Sequence, residues 1–398
     1  MKNIINLFAT VSIFGFLSCS CEKQENEPSI IIDKDGVVLK QPYLWKTSLT
    51  NTPYIGTFVY PSLIWNDKMI FGAETNNTSE LALLNIETGE KVWQKPYAPK
   101  ENAAMSGSYQ YNNIAIIDAE NALFSGFNIE TGEILWSLNP EGWFWSFTIS
   151  GIDNTFFICG ASAINPKPYE ISAAWFGNIE TGEAHEIWYP DFGTQADTCY
   201  NVVNYNRAGG VERVIPYKSV SGEVFLVIYY RSVIHGPRGE DYFSLYNFTK
   251  KEFVYQDIKL SWLCSGSPIV KNDKLFFTLY GEICCYDLYS GVKLWGKLYP
   301  SGFSNGGFIV EEGKLYAMED IASDDYLMCL DVNNGNQLWK TPSKQLDAPI
   351  RYLNGVIYFV AFSDAKLHAY EASTGKELWR IESPDYAHDS GAFFKPEC

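Results

Sequence analysis

An all-β fold, a β-propeller of four-stranded blades, is predicted by three observations. One phrase of fixed pattern recurs along the chain, its copies are evenly spaced, and aromatic residues make up 16% of the sequence. Strands favour aromatic and β-branched side chains because these pack on a pleated surface. The spacing of the copies, roughly 40 residues and built from short strands and turns, is that of propeller blades.

The phrase is first met as Asn85-Ile86-Glu87-Thr88-Gly89-Glu90-Lys91-Val92-Trp93 and returns as Asn128 to Trp136. A third copy runs from Asn178 through Gly182 to Trp188 with two extra residues. Later copies are Asp287…Gly291…Trp295, Asp331…Gly335…Trp339 and Glu371…Gly375…Trp379. A degenerate copy, Asn247 to Tyr255, has Lys251 for Gly and Tyr255 for Trp. The turn positions are thus 89, 132, 182, 251, 291, 335 and 375, a regular series with one long interval between 182 and 251.

Each part of the phrase has a physical task. The Asn or Asp offers a side-chain oxygen to nearby turn amides. Gly accepts the positive φ that reverses the chain. The Trp packs between blades, where a ring of this size buries on the order of 150–250 Å². In the last unit, 349–353, 356–362, 367–371 and 377–381 read as four strands separated by turns.

Trp45 in Tyr43–Leu49 reads as an outer strand, and 390–394 as an inner one. Together they predict a composite closing blade, for eight blades in all; seven is the alternative. The long interval between 182 and 251 predicts an extra hairpin or loop over 206–222, projecting from the fourth blade.

The phrase Asn/Asp-x-x-Thr-Gly-x-x-x-Trp resembles the repeat of PQQ-like propellers. That group includes quinoprotein alcohol dehydrogenases and the propeller lipoprotein of the outer-membrane β-barrel assembly machinery. The resemblance spans residues 42–398. It implies a propeller that serves either catalysis with a quinone or scaffolding without chemistry.

The N-terminus sets the expected compartment. Lys2 precedes a short apolar stretch, Ile4–Leu17, that is too short for a bilayer span and suits a signal-peptide core. Phe16-Leu17-Ser18-Cys19 resembles a bacterial lipobox, with Phe16 where Leu is usual. The expected organisation is a lipoprotein signal peptide over 1–18, a lipidated Cys19 with a flexible tether over 19–41, and the propeller over 42–398. Glu22, Glu25 and Glu27 after the Cys resemble a surface-export signal of Bacteroidetes lipoproteins. The implied location is the outer membrane, lipid-anchored, on its periplasmic or cell-surface side.

A net charge of −17 repels phosphate backbones and excludes nucleic acid as an expected partner. The four His residues show no metal-ligand spacing and no catalytic constellation stands out, so neither catalytic nor metal-binding residues are assigned. PQQ enzymes need a calcium ion, a basic residue on the quinone and a catalytic carboxylate, and those motifs cannot be placed here. No cofactor is therefore expected. Some of those enzymes carry a vicinal disulfide near the quinone, but Cys284-Cys285 falls in a strand where neighbouring side chains point to opposite faces.

Candidate ligand positions are the inter-blade connections: Trp143, Trp145, Trp262, Tyr386, His388 and Asp389. Exposed aromatics there would stack on a sugar or anchor a peptide. The expected function is a protein-binding scaffold for envelope proteins; a glycan- or small-ligand-binding surface protein is the alternative, and a PQQ-dependent dehydrogenase a third reading.

Lipidation is directly testable. Mass spectrometry of membrane-extracted protein from the natural host should find residues 1–18 removed and Cys19 carrying lipid. An intact Met1 or an unmodified Cys19 would refute the assignment.

Overall fold

The computed structural model describes residues 31–32, 38–40, 63–74, 78–99, 108–119, 123–138, 149–161, 172–190, 210–232, 240–261, 263–299, 303–321, 324–344, 350–361 and 366–382. The described residues form strands and turns only, and include no helix long and apolar enough to cross a membrane. They divide between two compact units, one within Thr47–Leu263 and one within Cys21–Lys46 and Cys264–Cys398.

The first unit holds four blades. Blade 1 comprises β3 (Leu63–Trp65), β4 (Lys68–Glu74), β5 (Thr78–Asn85) and β6 (Lys91–Pro99). Blade 2 comprises β7 (Ser108–Tyr111), β8 (Ile114–Ala119), β9 (Leu123–Asn128) and β10 (Ile134–Leu138). Blade 3 comprises β11 (Ser150–Ile152), β12 (Thr155–Ala161), β13 (Ser172–Asn178) and β14 (Ala184–Trp188). Blade 4 comprises β15 (Gly210–Lys218), β16 (Val224–Ser232), β17 (Glu240–Asn247) and β18 (Glu252–Lys259).

The second unit holds three blades and a hairpin. Blade 5 is β19 (Ile269–Lys271), β20 (Lys274–Leu279), β21 (Glu282–Asp287) and β22 (Lys293–Leu298). Blade 6 is β23 (Phe303–Glu311), β24 (Lys314–Ile321), β25 (Asp324–Asp331) and β26 (Gln337–Ser343). Blade 7 is β27 (Arg351–Leu353), β28 (Val356–Val360), β29 (Lys366–Glu371) and β30 (Glu377–Glu382). These are the four strands expected in the last unit, with small shifts at their ends.

Within every blade the strands pair antiparallel in chain order. Blades 3 and 4 share one sheet through a single parallel bridge, Ser172 to Gly210. Gly210 permits that approach, since a Cβ there would lie 2.8 Å from the Cβ of Ser172. The hairpin is β1 (Ile31–Ile32) with β2 (Val38–Lys40); β2 joins the outer edge of β30 in parallel, with Val38 opposite Trp379. It lies in the stretch expected to be a tether. Cys19, and the composite-blade segments 43–49 and 390–394, lie outside the described residues. The described residues thus contain seven four-stranded blades.

The expected insertion over 206–222 is not found in that form. Residues 210–218 are β15, the first strand of blade 4, paired along its length with β16. The excess length is better placed in the connection between Trp188, where β14 ends, and Gly210, where β15 begins. Blade 4 also has long strands, of nine, nine, eight and eight residues.

The recurring phrase acts as expected within its own turn. Asn85 Oδ1 accepts from the amides of Glu87 (2.9 Å) and Thr88 (3.0 Å), and Asn128 and Asp331 act likewise. Gly89, Gly132, Gly182, Gly291, Gly335 and Gly375 all have φ between 66° and 74°. Lys251, at the degenerate turn, holds φ 60° without being Gly.

The Trp residues then couple consecutive blades. Trp93 Nε1 donates to the carbonyl of Ile129 (3.0 Å), Trp136 to Ile179 (2.8 Å), Trp295 to Val332 (2.9 Å) and Trp339 to Ala372 (3.1 Å). Each acceptor is the residue after the Asn, Asp or Glu that opens the next blade's turn. Each ring also lies on that turn's Gly: a Cβ at Gly132, Gly182, Gly335 or Gly375 would fall between 2.4 and 3.0 Å from it. Trp295 is buried; Trp93, Trp136, Trp339 and Trp379 are partly buried. Between blades 5 and 6 the apolar layer contains Phe276, Ile283, Cys285, Trp295, Leu315 and Met328. Between blades 6 and 7 it contains Tyr316, Cys329, Ile357 and Phe359.

Gly335→Ala should cost about 2–4 kcal/mol, from left-handed backbone strain plus overpacking against Trp295. Gly313→Ala, with φ 73° but open space around it, should cost only about 1–2 kcal/mol. Denaturant unfolding checks both. In a double-mutant cycle, Trp295→Ala should remove most of the difference, because the clash needs both partners.

Candidate functional site: the open end of blade 4

Each blade has one end at the turn between its third and fourth strands and an opposite, open end, where the fourth strand finishes. The candidate residues Trp143, Trp145, Trp262, Tyr386, His388 and Asp389 lie outside the described residues, so the structure neither brings them together nor separates them. What it does bring together is a polar cluster at the open end of blade 4, which sequence reading missed.

β16 is buried along most of its length, from Phe225 to Tyr230. It ends in Arg231, which stands directly opposite Asp241 at the start of β17. The Asp241 side chain is fully buried, and a carboxylate there is costly without partners. It accepts from Arg231 Nε at 2.7 Å, from Arg231 Nη2 at 3.3 Å and from the Tyr229 hydroxyl at 2.5 Å. The carboxylate keeps the guanidinium protonated well above its ordinary range. The arginine side chain is 31% exposed, so one side of this charge pair faces water.

Glu212 adds a second carboxyl. It is the extra residue of a bulge in β15, between Val211, which pairs with Tyr230, and Arg213, which pairs with Tyr229. Bulges re-aim side chains in this way. Burial raises its pKa above the ordinary 4.5, with Arg231 opposing and Asp241 adding to the rise.

The other face of the same strands carries a tyrosine network. Tyr230 donates to Asp257 Oδ1 at 2.5 Å and lies 3.1 Å from Ser244 Oγ. Tyr242 stacks on Tyr230 with ring centroids 5.8 Å apart and donates to Glu240 Oε2, whose other oxygen takes Lys259 Nζ at 2.6 Å. Burial pushes the Tyr242 hydroxyl up to about 12. Trp188 packs edge-on against Tyr230 and Phe253.

At the open end of blade 5, Tyr280 in the β20–β21 turn and Leu298 at the end of β22 are both exposed. The Tyr299 amide donates to the Gly281 carbonyl and holds the two segments side by side. Trp262 precedes this blade in the chain.

The cluster of blade 4 can orient a partner by charge and hydrogen bonds through Arg231 and offer it the tyrosines. Among the described residues no group of three or more His, Cys, Asp or Glu side chains is arranged to hold a metal ion.

Seven four-stranded antiparallel blades, with a Trp docked on the turn of the following blade at four junctions, are the architecture of a β-propeller. The family model described as outer membrane protein assembly factor BamB matches residues 263–341 and 323–390. Comparison with curated protein sequences finds no match. Among solved structures, BamB from Moraxella catarrhalis is similar at a TM-score of 0.54 and 13% identity, covering 89% of this chain and 96% of that one. Quinohemoprotein alcohol dehydrogenase ADHIIG from Pseudomonas putida HK5 is similar at 0.57 and 12%, covering 80% of this chain and 65% of that one. The computationally designed Ika8 protein is similar at 0.58 and 13%, covering 83% and 89%. At such identities these likenesses concern the fold alone.

Cys284 and Cys285 are free, buried thiols on successive positions of β21. Cys285 belongs to the apolar layer between blades 5 and 6, and burial pushes its thiol up to about 12.

Asp241→Ala should cost about 2–3 kcal/mol, less than the roughly 3–5 kcal/mol typical of breaking a fully buried pair, because Arg231 keeps contact with water. Glu212 gives a signed pH test. Its pKa is raised on folding, so its favourable contribution is complete below the unfolded value and lost as pH rises through the folded one. Glu212→Gln should therefore stabilise the protein at neutral pH, and the gain should vanish as pH falls through 4.5. Thermal unfolding across pH checks this.

Proposed function

We propose that this chain is a non-catalytic cell-envelope lipoprotein, anchored to the outer membrane through Cys19, whose propeller is a scaffold for other envelope proteins. The observation that carries the reading is the open end of blade 4. There a buried carboxylate holds Arg231 in one orientation, beside tyrosines. Arg and Tyr supply much of the energy at protein interfaces, and a side chain already ordered loses less entropy on binding. The match to the assembly-factor family model supports an envelope role for this propeller.

A glycan-binding reading has its own support in Tyr280, exposed at the open end of blade 5. A flat aromatic there offers a stacking face to a sugar ring.

Affinity purification from cross-linked envelope extracts separates the readings. The scaffold reading expects an outer-membrane protein to co-purify, and Arg231→Ala to reduce its recovery about tenfold or more, the effect of losing an interfacial hot spot. Unchanged recovery with Arg231→Ala would refute the role of this end. Binding to purified envelope glycans that Tyr280→Ala abolishes would favour the second reading. Dye-linked alcohol oxidation after loading with PQQ and calcium would overturn both.

A further inference from the structure

The polar cluster of blade 4 leaves one arginine without a role. Arg213, on β15, stands directly opposite Tyr229 on β16, and Arg231 stands opposite Asp241 on β17. Directly paired residues share a face of the sheet, so Arg213, Tyr229, Arg231 and Asp241 lie on one face. The apolar layer shared with blade 3 uses the alternate residues Val211, Val214, Ile228 and Tyr230.

Arg213 is partly buried, yet it makes no hydrogen bond or ion pair among the described residues. A charge drawn partly out of water ordinarily gains such a partner. Arg231 is committed on one edge only. Its Nε and Nη2 donate to Asp241 and Nη2 also reaches the Tyr229 hydroxyl, while Nη1 makes no hydrogen bond among the described residues. Residues diagonal to one another on adjacent strands are about 7–8 Å apart, within reach of long side chains. Two guanidiniums with uncommitted donors therefore stand side by side.

Glu212 reports that both act on one place. Burial is the largest influence on its carboxyl and raises its pKa; Arg231 and Arg213 oppose the rise, and Asp241 adds to it. With Glu212 protonated, the two guanidiniums outnumber the carboxylates around them by one charge. A single carboxylate balances that charge, whereas a phosphate group brings nearly two.

We propose that Arg213 and Arg231 together take one carboxylate from a partner protein, an Asp or Glu side chain or a chain end, with Glu212 as the gate beside it. The proposal rests on the scaffold reading and names what the open end of blade 4 recognises. An ionised Glu212 repels the incoming group, and a protonated one can donate to it. The groups around Glu212 are Arg213 on its own strand, Tyr229 and Arg231 on β16, and Asp241 on β17. Binding takes up a proton, so affinity falls as pH rises through the raised pKa of Glu212.

The probe is the peptide acetyl-Gly-Asp-Gly-amide, titrated into the full-length protein and followed by ligand-observed NMR. Above about pH 5 its own carboxylate stays ionised. It should bind more tightly at that pH than at neutral pH, and its uncharged Asn counterpart should not bind. Arg213→Gln should weaken binding roughly tenfold, the loss of a charge-assisted hydrogen bond, and leave thermal unfolding unchanged because Arg213 has no partner to lose. Glu212→Gln should act in the opposite direction. It should tighten binding at neutral pH and remove most of the pH dependence, a gain that a misfolded variant does not show. Equal binding of the Asn peptide, indifference to Arg213→Gln, or a flat pH profile in the native protein would each overturn the proposal. Tighter binding of glucuronate than of the peptide would assign the site to an acidic sugar and overturn it as well. Co-purification separates the two claims. Recovery of the envelope protein lost with Arg231→Ala but not with Arg213→Gln would sink the carboxylate site and leave the scaffold reading standing. Peptide binding with the stated pH and variant effects, but no envelope protein recovered, would uphold the site and sink the scaffold.

Discussion

The fold depends on the contact between a Trp of one blade and the turn of the next. The indole N–H finds a carbonyl, and the indole ring lies on a glycine. Two requirements meet at that glycine. The turn needs a left-handed φ, and the ring needs the volume a Cβ would fill. Either alone would favour Gly; together they leave little alternative. The contact also turns a local sequence motif into a rule of assembly. Asn, Gly and Trp recur together because the first two build the turn that receives the Trp of the blade before it.

The exception clarifies the rule. The third copy has two extra residues before Trp188, and the next turn has Lys251 in place of Gly. Trp188 instead meets Tyr230 and Phe253 edge-on, and Tyr255 meets Phe243 within its own blade. An aromatic layer replaces the single docked indole at this junction. Blade 4, which carries the degenerate turn, also holds Glu212, Arg231 and Asp241.

Much of this was legible in the sequence, because the repeat writes turn and docking residues into one contiguous phrase. The Asn and Asp acceptors, the positive-φ glycines, the equivalent Trp positions and the four strands of the last blade all follow from it. β15 was not legible. Arg207–Gly210 and Ser219–Gly222 resemble loop boundaries, and Pro216 argues against a strand. Gly210 is required by the close approach of Ser172, a contact between blades that no local pattern reveals. The Arg231–Asp241 pair was hidden for a related reason. The two residues stand ten positions apart in the chain, and only the β16–β17 register places them opposite one another. The β1–β2 hairpin hid in a polar stretch because its pairing partner, β30, lies near the opposite end of the chain.

Packing also limits where recognition can reside. Within each unit the broad faces of consecutive blades meet in apolar layers, and four of the turns receive a docked Trp ring. Open ends and outer edges remain free to vary. At one of them the chain buries the carboxylate of Asp241, although a buried ion pair commonly gives no more stability than an apolar pair of the same size. The pair does fix the direction of a guanidinium whose other side reaches water. A freely rotating arginine must be ordered when a partner arrives; this one is ordered beforehand. The scaffold reading therefore gives a physical reason for a charge that the stability of the blade alone does not require.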